Sequence, residues 1–421
     1  MGATALGSLG ASRRSVQTTP GETKGAKPLL MIPGPIEFSE GVLQSISLPT
    51  LSHVSPDFIE QFGQALEQLR SVFLTEKGQP FVLAGSGTLG WDMAACNLLQ
   101  KGDKALVVNT GYFGDRFGEW DSFKMVTLTH VDTSTGVLVD IKSFAQAIRK
   151  HSPNAIVVVD GVCASGGEEL RMDEWDVDVV LTASQKAIGV PPGLAILMAS
   201  QRAMSLFKSR TTPVANYFCD WSKWLPIMES YEGRKPAYFA TPPVNLIRGL
   251  HTRQATLTPP LLPTRTWRSM WSIPVLSHSL HSLYEILSEG EGAMDKRFKA
   301  HQTAGKAVRE AVKALNLTTV AVSDKLAANT ITAVRFPQGV SGPALLPKVK
   351  AHGAELAGGL HQAIKAEYFR IGHMGVSVTD LNRGHLEQTI RAVEQGLVEC
   401  GYTGFERGAP VKALQRVLTA Q

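Results

Sequence analysis

Short apolar runs without alternation punctuate this chain, each ended by small or polar residues, and between them lie longer stretches in which apolar residues recur every third or fourth position. Phe81, Val82, Leu83 and Ala84 form one such run, and residues 105–108 another. The run Ala155, Ile156, Val157, Val158, Val159 ends in Asp160, and Val177, Asp178, Val179, Val180, Leu181 leads into Thr182, Ala183, Ser184, Gln185 and Lys186. Short β-branched runs of this kind read as strands buried on both faces of a parallel sheet. Residues 55–73 predict a helix: Ser55 and Pro56 supply an N-cap and first turn, and Phe58, Ile59, Phe62, Leu66, Leu69 and Phe73 share its apolar face. Further helical patterns follow Gly90, start at Val244 and Ala293, and end near His352. Leu29 to Ile32 read as a strand stopped by Pro33, Gly34 and Pro35. Residues 330–334 predict a strand, and residues 387–400 a terminal amphipathic helix.

At 421 residues with 43% hydrophobic content, the chain has room for two or three domains with a sizeable core. Its formal charge of +5 is well mixed, with no block of one sign, which argues against a nucleic-acid or membrane surface and leaves small anionic ligands open. No run approaches the length of a membrane span. Cys96, Cys163, Cys219 and Cys400 lack zinc-site spacing and disulfide-scaffold density, so they read as reduced thiols of an intracellular protein. Residues 1–27 carry Arg13 and Arg14 and no acid before Glu22, a composition compatible with a mitochondrial transit peptide or an ordinary flexible tail. The last residues, Leu418 to Gln421, are not a peroxisomal tripeptide of the Ser, Lys, Leu type. Mitochondrial or cytoplasmic placement is therefore expected, with the peroxisome left open.

Asp160 and Lys186 would both emerge where open α/β sheets bind ligands, beyond the carboxyl ends of the strands. The use that needs both is pyridoxal phosphate: a lysine forms the Schiff base with the aldehyde, and an aspartate keeps the ring nitrogen protonated. A surface salt bridge is the plain alternative. After the strand at 81–84, Gly85, Ser86, Gly87, Thr88, Leu89 and Gly90 spell the glycine pattern of a dinucleotide fold. That fold wants an acid at the end of the next strand, where this chain has Asn109. The other reading is a phosphate met by backbone N–H groups and the Ser86 and Thr88 hydroxyls at a helix N-terminus. His130, beside a turn, reads as a general base or as a structural residue.

Lys186 is followed by Ala187, Ile188, Gly189, Val190, Pro191, Pro192 and Gly193. This Ser, Gln, Lys triplet before a Pro, Pro, Gly turn resembles the class V pyridoxal-phosphate-dependent aminotransferases, and within them the alanine:glyoxylate and serine:pyruvate aminotransferases. The resemblance covers nearly all of residues 29–401. It implies an α/β chain of fold type I: a large domain with a mostly parallel, seven-stranded-type sheet and a smaller α+β domain at the C-terminus. The expected division is a 1–27 extension, a 28–50 arm, a 51–295 cofactor domain and a 296–421 small domain. Residues 249–278, rich in Thr, Pro, Arg and Trp, depart from the family and read as an insertion within a helix.

By the same resemblance, Lys186 is the catalytic lysine and Asp160 the ring-nitrogen partner. Gln185 contacts the cofactor, and Ser86, Gly87 and Thr88 hold its phosphate. Phe113 stacks on the ring where some relatives carry Trp, and Thr133 contacts the cofactor from the segment His130 to Gly136. Arg370, in the family's Arg, Ile, Gly pattern, clamps the substrate carboxylate as a guanidinium fork. Pro33, Gly34 and Pro35 match a segment near the substrate. Tyr238 and Thr241 match residues that the neighbouring subunit gives to the phosphate, which implies a symmetric homodimer with shared sites. The expected reaction moves an amino group from L-alanine or L-serine to glyoxylate or pyruvate. Rivals are another class V enzyme such as a serine:glyoxylate aminotransferase, a cysteine desulfurase or lyase, a nicotinamide dehydrogenase, and a non-catalytic protein of the same fold.

Overall fold

A computed structural model describes residues 27–108, 123–251 and 282–420. After β1 (Leu29–Leu30), six strands build the central sheet: β2 (Gln79–Ala84), β3 (Ala105–Val108), β4 (Met125–Thr129), β5 (Ile156–Asp160), β6 (Val179–Ala183) and β7 (Leu194–Ala199). Their spatial order is β2-β7-β6-β5-β4-β3. Strands β3 to β6 are mutually parallel, and β7 is antiparallel to both of its neighbours, so it alone is reversed. The mostly parallel α/β sheet is as expected, with six strands among the described residues where the sequence predicts a seven-stranded type. The reversal has a simple cause. Only residues 184–193 join β6 to β7, and a parallel return needs a crossover of a dozen or more residues.

The apolar runs of β5, β6 and β7 are buried throughout, as strands covered on both faces must be. The helix Pro56–Phe73 lies over one side, with the Ser55 hydroxyl accepting from the Phe58 N–H and the predicted apolar face buried. The run expected from Val177 becomes strand only at Val179, because Asp178 before it serves another purpose. Its fully buried carboxylate takes Arg149 Nη2 at 2.6 Å, Arg202 Nε at 2.6 Å, Ser200 Oγ at 3.0 Å and the Val157 N–H at 2.8 Å. One side chain thereby ties the starts of β5 and β6 to the end of β7.

The rest of the described chain builds β8 (Ile331–Arg335), β9 (Ala354–Glu355), β10 (Ala357–Gly358) and β11 (Tyr368–Gly372), of which β10, β11 and β8 form an antiparallel sheet. A second hydrophobic core joins this sheet to the helices Ala293–Ala314, Gly342–Ala351 and His385–Glu399. The helix expected at 387–400 is not the last one. Ala409–Leu418 follows and packs against Ala293–Ala314. Pro410 masks it in the sequence, yet stands in the first turn, where no N–H is required.

The amino-terminal segment crosses between the two cores. β1 pairs in parallel with β9, and the Gly372 N–H donates to Met31 O at 2.7 Å. The chain then reaches Pro33 and Gly34 at the rim of the central sheet. A small cluster that includes Ile36, Cys163, Ala187, Ile331 and Met374 packs where the two parts meet. The expected insertion at 249–278 falls almost wholly outside the described residues, as do Phe113, Asn109 and residues 1–26. Its flanks are the helices Val244–Leu250 and Ser282–Leu287. No described helix is long and apolar enough to cross a membrane.

Removing one partner from a buried ion network leaves the other charges uncompensated and costs about 3–5 kcal/mol. Asp178→Ala is therefore expected to lower the unfolding free energy by about 3 kcal/mol, read as a lower urea midpoint at unchanged slope. An unchanged midpoint would show that Arg149 and Arg202 find other partners.

Candidate active site

Two parallel strands end level with one another, Thr129 of β4 opposite Asp160 of β5, while Leu181, opposite Asp160, stands two residues before the end of β6. A cavity of about 320 Å³ opens at this rim. Ser86, Gly87 and Thr88 bound it from the loop after β2, Thr133 from the turn after β4, and Asp160, Gln185 and Lys186 from the ends of β5 and β6. Seven residues singled out from the sequence thus meet in one space. Parallel strands deliver their carboxyl ends to a common side, and the short β6–β7 loop returns there.

Asp160 is buried. Its Oδ1 accepts from the Val162 N–H at 2.8 Å, and its Oδ2 from Trp91 Nε1 at 3.2 Å. Burial pushes the carboxyl up to about 6, against these two hydrogen bonds, which favour the ionised form. Lys186 is also buried, and its Nζ donates to the Pro33 carbonyl. Burial lowers its pKa, and the Arg370 charge acts in the same direction, while Cys163 and Asp160 oppose it. The amine is therefore shifted toward the neutral, nucleophilic form.

The loop 85–87 leads into the helix Thr88–Leu98, whose N-terminus has no side-chain cap and whose first residue lines the cavity. Gly87 is tightly packed. A Cβ there would stand 3.0 Å from both Ala183 Cβ and Val162 Cγ2. Thr133 is set by a tight turn in which Asp132 Oδ1 accepts from the Ser134 N–H at 2.7 Å and the Thr135 N–H at 3.1 Å. The Thr133 carbonyl accepts from Arg370 Nη1 at 3.0 Å, and Gly358 O from Arg370 Nε at 2.7 Å. Two N–H groups of the guanidinium thus fix its plane on β11, beside the cavity and close enough to Lys186 to act on its charge.

Other expected residues behave differently. His130 does not line the cavity, which takes the alternate positions Thr129, Val131 and Thr133. Burial pushes its imidazole down to about 3 and leaves Nδ1 without a hydrogen-bond partner, so it is a neutral packed histidine and no base for this space. Tyr238 is 63% exposed; its hydroxyl lies 3.4 Å from that of Thr241, and neither lines the cavity within this chain. Phe113 lies outside the described residues.

Trp91 was not read as a site residue, although it stands three positions after Thr88 and so shares one helix face with it. Pro33 holds Lys186 through a backbone carbonyl, which no side-chain pattern announces. Gly34, at φ +114°, is required beside it: a Cβ there would come within 2.6 Å of Lys186 Cδ.

In the cofactor-free protein, Asp160 titrates near 6 when folded against an ordinary 3.8, so the folded state holds its proton longer. That contribution to stability is complete below the ordinary value and is lost as pH rises through the folded one. Asp160→Asn removes this step. Relative to the wild-type protein, the variant is expected to gain about 2–3 kcal/mol in denaturant unfolding between pH 4 and pH 7. A difference independent of pH would refute the shift.

Residues 120–219 match the family model described as Aminotransferase class-V. The chain is 38% identical over 409 residues to an alanine–glyoxylate aminotransferase of Saccharomyces cerevisiae, covering 87% of this chain and 97% of the yeast enzyme. It is 28% identical to a serine–glyoxylate aminotransferase of Methylorubrum extorquens, over 88% of this chain and 91% of that enzyme. Among solved structures, an alanine–glyoxylate aminotransferase from Nostoc sp. superposes with a TM-score of 0.73 at 25% identity, covering 91% and 98% of the two chains.

Proposed function

Because the chain belongs to the class-V aminotransferases, whose cofactor is pyridoxal 5′-phosphate, we propose that it carries the amino group of L-alanine, or of L-serine, to glyoxylate or pyruvate, yielding with glyoxylate glycine and a 2-oxo acid. The observation that carries this reading is the meeting of Lys186 and Asp160 in one cavity, with the lysine amine shifted toward neutrality and Arg370 bonded to the carbonyl of Thr133 in the cavity wall. The yeast and Nostoc relatives favour alanine as donor, and the Methylorubrum relative keeps serine in view; all three names share glyoxylate as acceptor.

The residues present fit the cofactor. Gly87 leaves an approach that a Cβ would fill, the uncapped helix N-terminus with the Ser86 and Thr88 hydroxyls suits a phosphate, and Gln185 and Thr133 flank the space between. When bound, the cofactor supplies the electron sink that makes the Cα–H bond of the amino acid acidic. Asp160 holds a proton on the ring nitrogen, and Trp91 and the Val162 N–H steady its carboxylate. The guanidinium of Arg370, its plane set by two carbonyls, grips the substrate carboxylate with its remaining N–H groups. Lys186 Nζ, its pKa lowered by burial toward the neutral form, takes the proton from Cα of the donor and in the return half returns a proton to the acceptor carbon. Phe113 stacking on the ring completes the proposed set.

Tyr238 and Thr241 are proposed to reach the phosphate of a second copy in a homodimer, a role supported by the exposure of Tyr238 and the distance of both from their own chain's cavity. The proposed division into a larger unit at 51–295 and a smaller one at 296–421 is supported by the two main hydrophobic cores. A desulfurase is disfavoured. It needs a mobile thiolate, whereas Cys163, the cysteine beside Lys186, is buried with its thiol pKa raised.

Purified protein is expected to show a visible absorbance band that L-alanine bleaches and glyoxylate restores; absence of both steps overturns the reading. Lys186→Ala should abolish turnover, with residual activity on the order of 1,000-fold below wild type. Arg370→Lys should raise the KM for alanine about 10- to 100-fold, since a point charge replaces a two-toothed grip. An unchanged KM would remove Arg370 from the carboxylate site.

A further inference from the structure

The helix Ala293–Ala314 comes closer to the chemistry than its sequence suggests. Arg297 Nε donates to Gly166 O at 2.7 Å, and Arg297 Nη2 to Ala187 O at 2.7 Å. Gly166 belongs to the turn that follows Asp160, and Ala187 is the residue directly after Lys186. One guanidinium therefore spans the two loops that carry the aspartate and the lysine. One turn further along the helix, His301 Nδ1 donates to Arg297 O at 2.9 Å, and His301 Nε2 accepts from the Gly375 N–H at 3.1 Å. Gly375 lies just beyond β11, the strand of Arg370. The same helical turn thus touches all three loops.

We propose that Arg297 is a positioning residue for transamination: it holds the Lys186 loop and the Asp160 turn at a fixed separation, so that Nζ stands correctly relative to a ring anchored on Asp160. This rests on the aminotransferase reading above. The grip is a rigid one. A planar guanidinium bonded through Nε and Nη2 fixes both the distance and the relative orientation of the two carbonyls, whereas a flexible ammonium would not. Burial lowers the Arg297 pKa to about 10, with Glu285 and Glu289 acting against that shift, so the group stays charged at neutral pH. His301 is pushed to about 3 by burial and stays neutral, with one nitrogen donating and the other accepting. Arg297 itself does not line the cavity around Asp160 and Lys186, so its effect passes through the backbone. Misplacement of a reacting atom by about 1 Å costs on the order of 100-fold in rate.

Two variants and three readouts test this. Arg297→Met keeps an unbranched chain out to about the position of Nε and removes both hydrogen bonds; Arg297→Lys keeps the charge and can satisfy one carbonyl at a time. In cofactor-free protein, Arg297→Met should speed backbone amide exchange in residues 161–167 and 185–190, by about tenfold or more, with exchange in β2 unchanged. The cofactor should dissociate faster, and kcat should fall about 10- to 100-fold while the KM for the amino acid stays within about threefold. Arg297→Lys should lie between the variant and the wild type in all three. If exchange in both loops and cofactor dissociation match wild type, and only the melting temperature falls, Arg297 is a structural residue and the proposal is wrong. If Arg297→Met does not fold, Arg297→Lys decides by the same measurements. A wild-type protein that fails the alanine and glyoxylate half-reactions overturns the transamination reading, and the exchange comparison then still decides whether the clamp exists.

Discussion

Holding an amine and a carboxyl out of water around one cavity is the constraint on which this structure depends. Neither Lys186 nor Asp160 keeps its ordinary pKa, and burial is the leading cause for both. Such burial is tolerated only where polar partners are supplied, and here two of the three come from distant parts of the chain. Trp91 and the Val162 N–H serve the carboxylate, and the Pro33 carbonyl serves the amine. The same desolvation that makes the pair costly shifts the amine toward the neutral form that its proposed role needs.

The architecture follows from that constraint. Parallel strands send their ends to one rim, so Asp160 and the loop of Lys186 arrive together without design at the level of individual side chains. The ten-residue span between β6 and β7 forces the reversed strand, and that reversal keeps Lys186 at the rim instead of sending the chain across to the far side. Asp178, at the opposite end of β6, gathers two arginines and pins the strand starts. Order at one end of the sheet thereby supports register at the other. Arg370 enters from a different sheet, and its plane is set partly by Thr133 of the central unit. The position of Arg370, the proposed carboxylate clamp, is accordingly a product of how the two parts pack.

Much of this was legible from local pattern. Unbroken β-branched runs marked β5 and β6, and the Ser55 and Pro56 signature marked the start of the helix Pro56–Phe73, because both patterns reflect burial and capping within a few residues. Ser86, Gly87 and Thr88 were readable because a small-residue loop before a helix is itself a phosphate-shaped feature. His130 shows the limit: a histidine beside a turn carries no sign of which way its ring faces, and the alternation of β4 turned it away from the cavity. The helix Ala409–Leu418 was hidden by a proline whose position in the first turn made it harmless.

The sequence by itself determined the strand and helix alternation, the residues with chemistry to offer, and the family likeness that joins them, since each is written in neighbours along the chain. Only the tertiary structure decided which of those residues share a cavity and which groups hold them there. Trp91 on Asp160, the Pro33 carbonyl on Lys186 and Arg297 across the two loops are contacts between residues far apart in sequence, two of them made to backbone atoms. A backbone carbonyl is the same in every residue, so no pattern of letters distinguishes the one that an arginine or a lysine will find. The fold makes that choice by bringing it within reach and excluding the water that would otherwise take its place.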